Sequence, residues 1–183
     1  MACSYTATRA VLTACGATKS GLDEQKSWNI NRSDATFGAI SASTGISATA
    51  TFGSALLPFA FDARGFSMTD TMSTDANTGA QTHKPVISGR LIGLNGVNRA
   101  DSEKFKGVNI VNITLTKGNK FIVNGRTAGL TLDTQEIGSG SENLGHLLTL
   151  STTEQSPESE PYFELLITDY ATTLAALIDA ETP

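Results

Sequence analysis

The residues of this chain with the most chemical potential are its two histidines, His83 and His146. Metal ligands can converge from distant parts of a chain, so either histidine could join Asp or Glu in a metal site. The sequence brings no further His or Cys near them in the usual ligand spacings. We therefore expect a surface His83 and a partly packed His146, and no metal.

Carboxylates are concentrated in the segment 154–164, which contains Glu154, Glu158, Glu160 and Glu164 around Pro157 and Pro161. Acid–base catalysis needs a carboxyl whose pKa is shifted by its surroundings, which exposed loop acids rarely supply. We expect these side chains to be solvated. A weak calcium site in this loop is the alternative.

Other catalytic patterns fail on spacing. The segment 16–20, GATKS, lacks the glycine spacing of a phosphate-binding loop, and Gly138-Ser139-Gly140 lacks the third glycine of a dinucleotide fingerprint. Cys3 and Cys15 are the only cysteines, so they form either two small thiols or one disulfide, not a redox pair or zinc site. The sequence predicts a chain that is not an enzyme and binds no cofactor.

Composition narrows the possible partners. Charged residues are 17% of the 183 residues and the formal net charge is −5, whereas Thr (25) and Ser (17) are abundant. Specific binding of nucleic acid requires clustered Lys and Arg, which are scattered here. No run of about 18 apolar residues could span a bilayer, and the acidic balance disfavours an anionic membrane surface. We expect neither partner.

The clearest structural signal is a β-hairpin within 107–133. Two β-rich runs, Val108–Thr116 and Lys120–Val123, flank Gly118-Asn119, a dipeptide typical of tight turns. A two-residue loop places Leu115 opposite Ile122 and leaves one aliphatic and one mixed face, as in a sheet covered mainly on one side.

Further periodic segments surround this hairpin. Strands are predicted from alternation or apolar runs, and one short helix from 98–106. The predicted strands are 46–52, 86–94, 146–150 and 162–168, with one or two short strands in 1–33 that dock Trp28 or Ile30 on the core.

A C-terminal helix is predicted from Asp169 to Asp179. Its apolar side chains recur at helical spacing and should face the sheet, with Thr172 and Thr173 turned away. The apolar residues are Tyr170, Leu174, Leu177 and Ile178.

The segment 55–61, ALLPFAF, is the most apolar stretch of the chain, and Pro58 restricts it to a sheet edge or a loop. Exposed on one subunit, such a run forms a patch that binds another. The candidate assembly contacts are Leu56, Leu57, Phe59, Phe61 and Phe66.

A polar, low-complexity segment, 67–84, follows this run. It is either a long loop or an extended hairpin that is ordered by a neighbouring subunit. Residues 53–85 together are therefore predicted to be an extended arm or loop of a single domain, residues 1–183. Its predicted fold is mainly β, a β-sandwich or partly closed barrel of antiparallel strands, with the C-terminal helix and possibly one short helix.

This combination of hydroxyl-rich strands, an apolar edge, a long excursion and a closing helix resembles the tube-forming proteins of bacteriophage tails. The resemblance is architectural and rests on no diagnostic motif. It implies six-fold rings of identical subunits, contacts with other virion proteins, assembly in the host cytoplasm, and an acidic channel through which DNA slides without specific binding. The alternatives are a capsid or decoration protein, and a secreted adhesin or carbohydrate-binding module.

Overall fold

The computed structural model describes residues 22–62, 66–76, 78–139, 144–153 and 156–181. The predictions for Cys3, Cys15, the segment 16–20 and Glu154 fall outside these residues. The fold is mainly β, with 49% of residues in strands and two α-helices, one of them C-terminal. Its sheets are open, so the fold is sandwich-like and not a barrel.

Twelve strands and two helices are present in the described part of the chain. In chain order they are β1 (Leu22–Asn31), β2 (Ala35–Phe37), β3 (Ile46–Ser47), β4 (Ala50–Phe52), β5 (Leu57–Phe59), β6 (Ser67–Thr74), β7 (Gln81–Ile92), α1 (Gly96–Glu103), β8 (Ile110–Thr116), β9 (Phe121–Asn124), β10 (Thr131–Gly138), β11 (Gly145–Ser151), β12 (Phe163–Leu165) and α2 (Tyr170–Asp179).

These strands form three sheets. The six-stranded sheet has the order β3-β12-β9-β8-β1-β5, the four-stranded sheet the order β10-β11-β7-β6, and β2 pairs with β4. All pairings are antiparallel except that of β12 with β3. As expected for a strand that contains Pro58, β5 lies at an edge.

Two hydrophobic cores lie on opposite faces of the six-stranded sheet. One core packs this sheet against α2 and the two-stranded sheet, and its buried side chains include Trp28, Ile30, Val111, Ile113, Leu115, Phe121, Val123, Phe163, Leu165 and Leu177. The other packs it against the four-stranded sheet, through Phe59, Phe61, Ile87, Leu91, Phe105, Ile110, Leu130, Leu148 and Leu150. The expected sheet with one mainly open face is therefore wrong, because both faces are covered.

The β8–β9 hairpin exists, but its loop has three residues and not two. Leu115 pairs with Phe121, and the amide of Asn119 donates to the carbonyl of Thr116 at 3.0 Å. Asn119 has φ +61°, the left-handed conformation that closes such loops. The one-residue change of register places Phe121, and not Ile122, on the same face as Leu115.

Polar side chains occupy the centre of the six-stranded sheet on its second face. The Asn112 amide donates to Ser27 Oγ and Asn29 Oδ1, each at 2.8 Å, and Thr114 Oγ1 donates to Asn112 Oδ1 at 2.6 Å. All four residues are buried. Because an unpaired buried polar group is costly, this network favours one register of β1 on β8.

Helix α2 is present where the sequence predicts it, and Tyr170, Leu174 and Leu177 pack on the core as predicted, but the buried face is shifted towards Thr173. Thr173 and Leu177 are completely buried, whereas Ile178 is 48% exposed, so the prediction that Thr173 faces away is wrong. The Thr173 hydroxyl accepts from the amide of Ile167 at 2.9 Å and donates to the carbonyl of Asp169 at 2.8 Å. A threonine with both bonds made is tolerated in the core.

Asp169 caps the first turn of α2. Its carboxylate accepts from the amide of Thr172 at 2.7 Å, and this hydrogen bond lowers the pKa of Asp169 below its usual value. At the other end, Trp28 Nε1 donates to Glu181 Oε1 at 2.7 Å and the amide of Leu56 donates to the carbonyl of Ala180. The first turn of α2 is therefore capped locally, and its C-terminal end is bonded to β1 and to the segment before β5.

The burial of Thr173 gives a test of this orientation. Thr173→Val keeps the shape but removes both hydroxyl bonds, and should lower the free energy of unfolding by about 1–3 kcal/mol. Leu177→Ala should lower it by about 2–5 kcal/mol through the cavity that it creates. Urea unfolding of each variant measures these changes.

Two control variants separate the effect of losing the Thr173 hydroxyl from the effect of any substitution in the helix. Thr173→Ser keeps the hydroxyl and should cost less than Thr173→Val. Ile178→Ala, on the exposed side, should cost about 1 kcal/mol or less. A Thr173→Val variant as stable as the wild type would contradict the observed helix orientation.

Candidate assembly surface

The predicted assembly contacts are mostly core residues of the chain itself. Leu56, Phe59 and Phe61 are buried, and Phe66 is half-buried with its ring 5.0 Å from that of Phe61. Only Leu57 is exposed, at 42%. The prediction of an exposed apolar patch is therefore wrong for these residues. The segment 55–61 is apolar because its side chains contribute to both cores of the same domain.

Phe61 shows how closely this segment packs. A Cβ atom at Gly89 of β7 would lie 2.4 Å from the Phe61 ring, so only glycine leaves room for it. Phe59 stacks beside Phe61, with ring centroids 6.1 Å apart, and contacts Phe105 at 4.8 Å. These rings tie β5 and the following loop to the four-stranded sheet.

Burial separates Phe59 from its exposed neighbour Leu57. Phe59→Ala should reduce the free energy of unfolding by about 3–5 kcal/mol, because it opens a cavity among three aromatic rings. Leu57→Ala, two residues away on the same strand, should change it by about 0.5 kcal/mol. Thermal melts of both variants check this, and equal melting temperatures would show that β5 is not buried as described.

The segment 67–84 pairs within its own chain. Strand β6 pairs with β7 along its whole length, from Ser67 opposite Ser88 to Thr74 opposite Gln81. The Asp75 carboxylate accepts from the amide and the hydroxyl of Thr78 and closes the turn. The extended-hairpin prediction is thus correct in form, but its pairing strand lies in the same subunit.

The four-stranded sheet has long edge strands. Among the described residues β6 and β10 each pair on one side only, each has eight residues, and neither contains Lys or Pro. The edges of the six-stranded sheet differ, since β3 has two residues and β5 has three, including Pro58. Natural sheets avoid edge pairing by short strands, Pro, charges and β-bulges. The six-stranded sheet uses short strands and Pro58, whereas the long edges of the four-stranded sheet have only Asp70 in β6, and a bulge with Asp133 and Glu136 in β10.

The outer face of the four-stranded sheet is rich in hydroxyls. We call it the hydroxyl face, because the register and alternation of its strands place ten Ser and Thr side chains on one side. They are Ser67, Thr69, Thr71, Ser73, Thr82, Ser88, Thr131, Thr134, Thr149 and Ser151. Lys84, Arg90 and Glu136 lie on the same face, so it has little net charge.

One end of this sheet is apolar. Gly145 of β11 pairs with both Ile92 and Gly138, which brings the ends of β7, β10 and β11 together. The side-chain amide of Asn98 in α1 donates to the carbonyls of Ile92 and Gly93 and holds α1 at the same end. Five exposed aliphatic residues are gathered there as a result. These residues, the apolar end, are Ile92, Leu94, Val97, Ile137 and Leu144. The turn of the β6–β7 hairpin, at the opposite end, is polar. The sequence reasoning missed the apolar end because its residues are scattered over three segments.

The two histidines are not brought together. His83 is not on the open surface, since its side chain is 12% exposed and its Nδ1 lies 3.2 Å from Asp70 Oδ2. His146 is buried, and its Nδ1 lies 3.3 Å from the Gln135 amide. The described residues contain no group of three or more His, Cys, Asp or Glu that could hold a metal ion.

The acidic segment is not simply solvated. Glu160 pairs with Arg126 at 2.6 Å and Glu164 with Lys120 at 2.9 Å, both near the surface. Glu158, however, is buried at 2% exposure. The prediction of solvated carboxylates is wrong for this residue.

Glu158 binds the backbone of the loop that joins β9 to β10. Its carboxylate accepts from the amides of Thr127, Ala128 and Gly129 at 2.8, 2.8 and 3.1 Å. Its own backbone N–H and C=O pair with His83 of β7. Glu158 therefore fastens the four-stranded sheet to the loop that enters it from the six-stranded sheet.

Loss of this carboxylate should destabilise the whole domain. Glu158→Gln replaces one accepting oxygen by an NH₂ group facing an amide, and should cost about 1–3 kcal/mol of unfolding free energy. Glu158→Ala leaves three amides without their acceptor and should cost about 3 kcal/mol or more. Glu160→Gln, which breaks only a surface ion pair, should cost about 0–1 kcal/mol. Urea unfolding measures the free energy of unfolding of each variant. Equal losses in all three variants would contradict this role of Glu158.

Three comparisons with known proteins were made. No family model, no curated protein and no solved structure matches the chain. Of the helices in the described residues, none has the length and apolar character needed to cross a membrane.

Proposed function

We propose that this chain is a structural subunit of a bacteriophage virion, the tail tube protein, which forms stacked rings around a channel for the genome. The observation that carries the proposal is the four-stranded sheet with two long edge strands that contain no Lys or Pro. The proposal assigns no catalytic step to the chain. Its partners are identical subunits and other virion proteins, and its place is the virion after assembly in the host cytoplasm.

The even number of strands favours ring formation. Because β10, β11, β7 and β6 alternate in direction, β6 and β10 run antiparallel to each other. In a ring related by rotation, β6 of one subunit meets β10 of the next, and the two edges pair antiparallel. Such head-to-tail contacts use different surfaces on each partner and close into rings when the rotation permits.

The size of such a ring suits duplex DNA. Six copies of a four-stranded sheet supply twenty-four strands, which at about 4.8 Å per strand give a backbone diameter of about 37 Å, and more when the strands tilt. Because the opposite face packs on the second core, the hydroxyl face lines the channel. In this arrangement the channel surface would be near-neutral, whereas the resemblance to tail-tube proteins implies an acidic channel.

Stacking of rings would use the two ends of the sheet. In each subunit the apolar end lies at one end of the strands of the four-stranded sheet, and the polar β6–β7 turn lies at the other end. If the strands run along the axis of the ring, the apolar end of one ring meets the polar turns of the next. Contact between successive rings would cover the five exposed aliphatic residues of the apolar end, which are otherwise a site for unspecific association.

A charge-exchange experiment tests the edge pairing. Thr71 on β6 and Thr134 on β10 are both exposed on the hydroxyl face. The double variant Thr71→Lys/Thr134→Lys places like charges on both sides of each proposed contact and should abolish rings and tubes in negative-stain images. Thr71→Glu/Thr134→Lys should restore them.

Thr36→Lys is the matched control, since Thr36 is an exposed strand threonine of the two-stranded sheet. It should assemble as the wild type does, and all variants should keep the circular dichroism of the folded chain. Wild-type protein that stays monomeric at high concentration would overturn the proposal. Closed shells would instead support the capsid alternative, and monomers that bind glycans the adhesin alternative.

A further inference from the structure

The backbone groups at the edges of the four-stranded sheet can be assigned residue by residue. In an antiparallel sheet, successive residues of a strand direct their N–H and C=O groups to opposite sides. His83 of β7 exchanges both of its groups with Glu158, on the side away from β6. Its neighbours Thr82 and Lys84 therefore direct theirs towards β6. Pro85 fits this alternation, because its position does not have to donate an N–H to β6.

The alternation fixes which residues of β6 face its outer edge. The residues bonded to β7 are those opposite its even-numbered residues, namely Ser67, Thr69, Thr71 and Ser73. The residues between them direct their N–H and C=O groups outwards. These residues are Met68, Asp70 and Met72. Among the described residues no strand pairs with β6 on that side.

The same rule extends through β11 to β10. The odd-numbered residues of β7 point towards β11 and pair with its even-numbered residues, so the odd-numbered residues of β11 bond to β10. Their partners on β10 are Thr134, Glu136 and Gly138. Gln135 and Ile137, which lie between these partners, therefore direct their backbone groups to the outer edge. A bulge before Thr134 ends this regular stretch.

Pairing between two such edges requires outward groups of one strand to meet outward groups of the other. Both edge strands have eight residues. Full overlap places Met68 opposite Ile137 and Asp70 opposite Gln135, so the requirement is met in every pair up to the bulge. A shift by one residue sets outward groups against groups already bonded within the subunit. It also turns the hydroxyl face of one strand to the core side of the next.

Shifts by two residues satisfy the backbone but not the side chains. In one direction Asp70 lies opposite Asp133, a pair of like charges. In the other direction Asp70 lies opposite Ile137, and Met68 lies beyond the end of β10. With full overlap, the Ile137 side chain, which is 64% exposed in one subunit, lies beside Met68. Asp70 then lies beside the uncharged Gln135.

We propose that β6 of one subunit pairs with β10 of a second copy in this one register, with Ser67 opposite Gly138 and Thr71 opposite Thr134. The inference rests on the proposed ring and specifies the contact between its neighbouring subunits. Thr71 and Thr134 direct their backbone groups inwards, so they form a pair without hydrogen bonds between them. The Cα atoms of such a pair lie about 4.5 Å apart.

Disulfide trapping tests the register. Cys3 and Cys15 are replaced by Ser in all variants, so that no other thiol competes. Thr71→Cys/Thr134→Cys should then link neighbouring subunits upon mild oxidation of the assembled protein, since a Cα separation of about 4.5 Å lies within the span of a disulfide.

Two matched pairs serve as controls, Thr69→Cys/Thr134→Cys and Ser73→Cys/Thr134→Cys. All four positions are exposed on the hydroxyl face, but each control pair is offset by two residues. Its Cα atoms lie about 7–8 Å apart, beyond the usual span of a disulfide. The control pairs should therefore cross-link about tenfold less.

Non-reducing gels and negative-stain images of the same samples separate two kinds of failure. If rings or tubes form but a control pair cross-links better than Thr71→Cys/Thr134→Cys, or no pair cross-links, the register is wrong and ring formation still stands. Wild-type protein that is monomeric overturns the ring and the register together. Cross-linked dimers of the single variant Thr71→Cys would show that β6 pairs with β6, which also contradicts the proposal.

Discussion

The carboxylate of Glu158 is the interaction on which the arrangement of the two large sheets depends. It is a buried charge whose acceptor capacity is used by three successive backbone amides. The chain from Gly125 to Gly129 turns sharply, with φ of +82° at both glycines, and its amides would otherwise point into the interior without acceptors. A single side chain thus satisfies the loop, while its backbone pairs with β7.

The sequence predicts the strands well, because alternation of apolar and hydroxyl residues reports directly on half-buried strands. The sequence predicts less well which face of a helix or strand is buried. In α2, Tyr170 and Leu174 pack beside Leu177 as predicted, but Ile178 is exposed and Thr173 is buried instead, because only tertiary contacts select among overlapping helix faces. The burial of Thr173 depends on an amide at Ile167, outside the helix, which no helical period reveals.

The apolar segment 55–61 and Glu158 show the same limit from opposite directions. Hydrophobicity alone does not distinguish a subunit contact from a core segment, and Phe59 and Phe61 are core residues because the four-stranded sheet covers them. A glutamate in a polar loop resembles solvated charge until the three amides around it are known. In both cases the deciding partner is distant in sequence, so a local pattern carries no information about it.

In the proposed ring, the hydroxyl face would have to stay hydrated and at the same time avoid an accumulation of like charges. Charged side chains would protect its edges and hydrate its surface, but in a ring each charge is repeated in every subunit, and like charges then accumulate around a narrow channel. Ser and Thr keep strands in contact with water without this repulsion, and Thr also favours strand structure. The low charged fraction of 17% and the abundance of Ser and Thr are therefore consistent with a sheet that pairs its two different edges in the proposed ring. If subunits pair by their sheets, the short edge strands β3 and β5 of the six-stranded sheet would confine that pairing to β6 and β10.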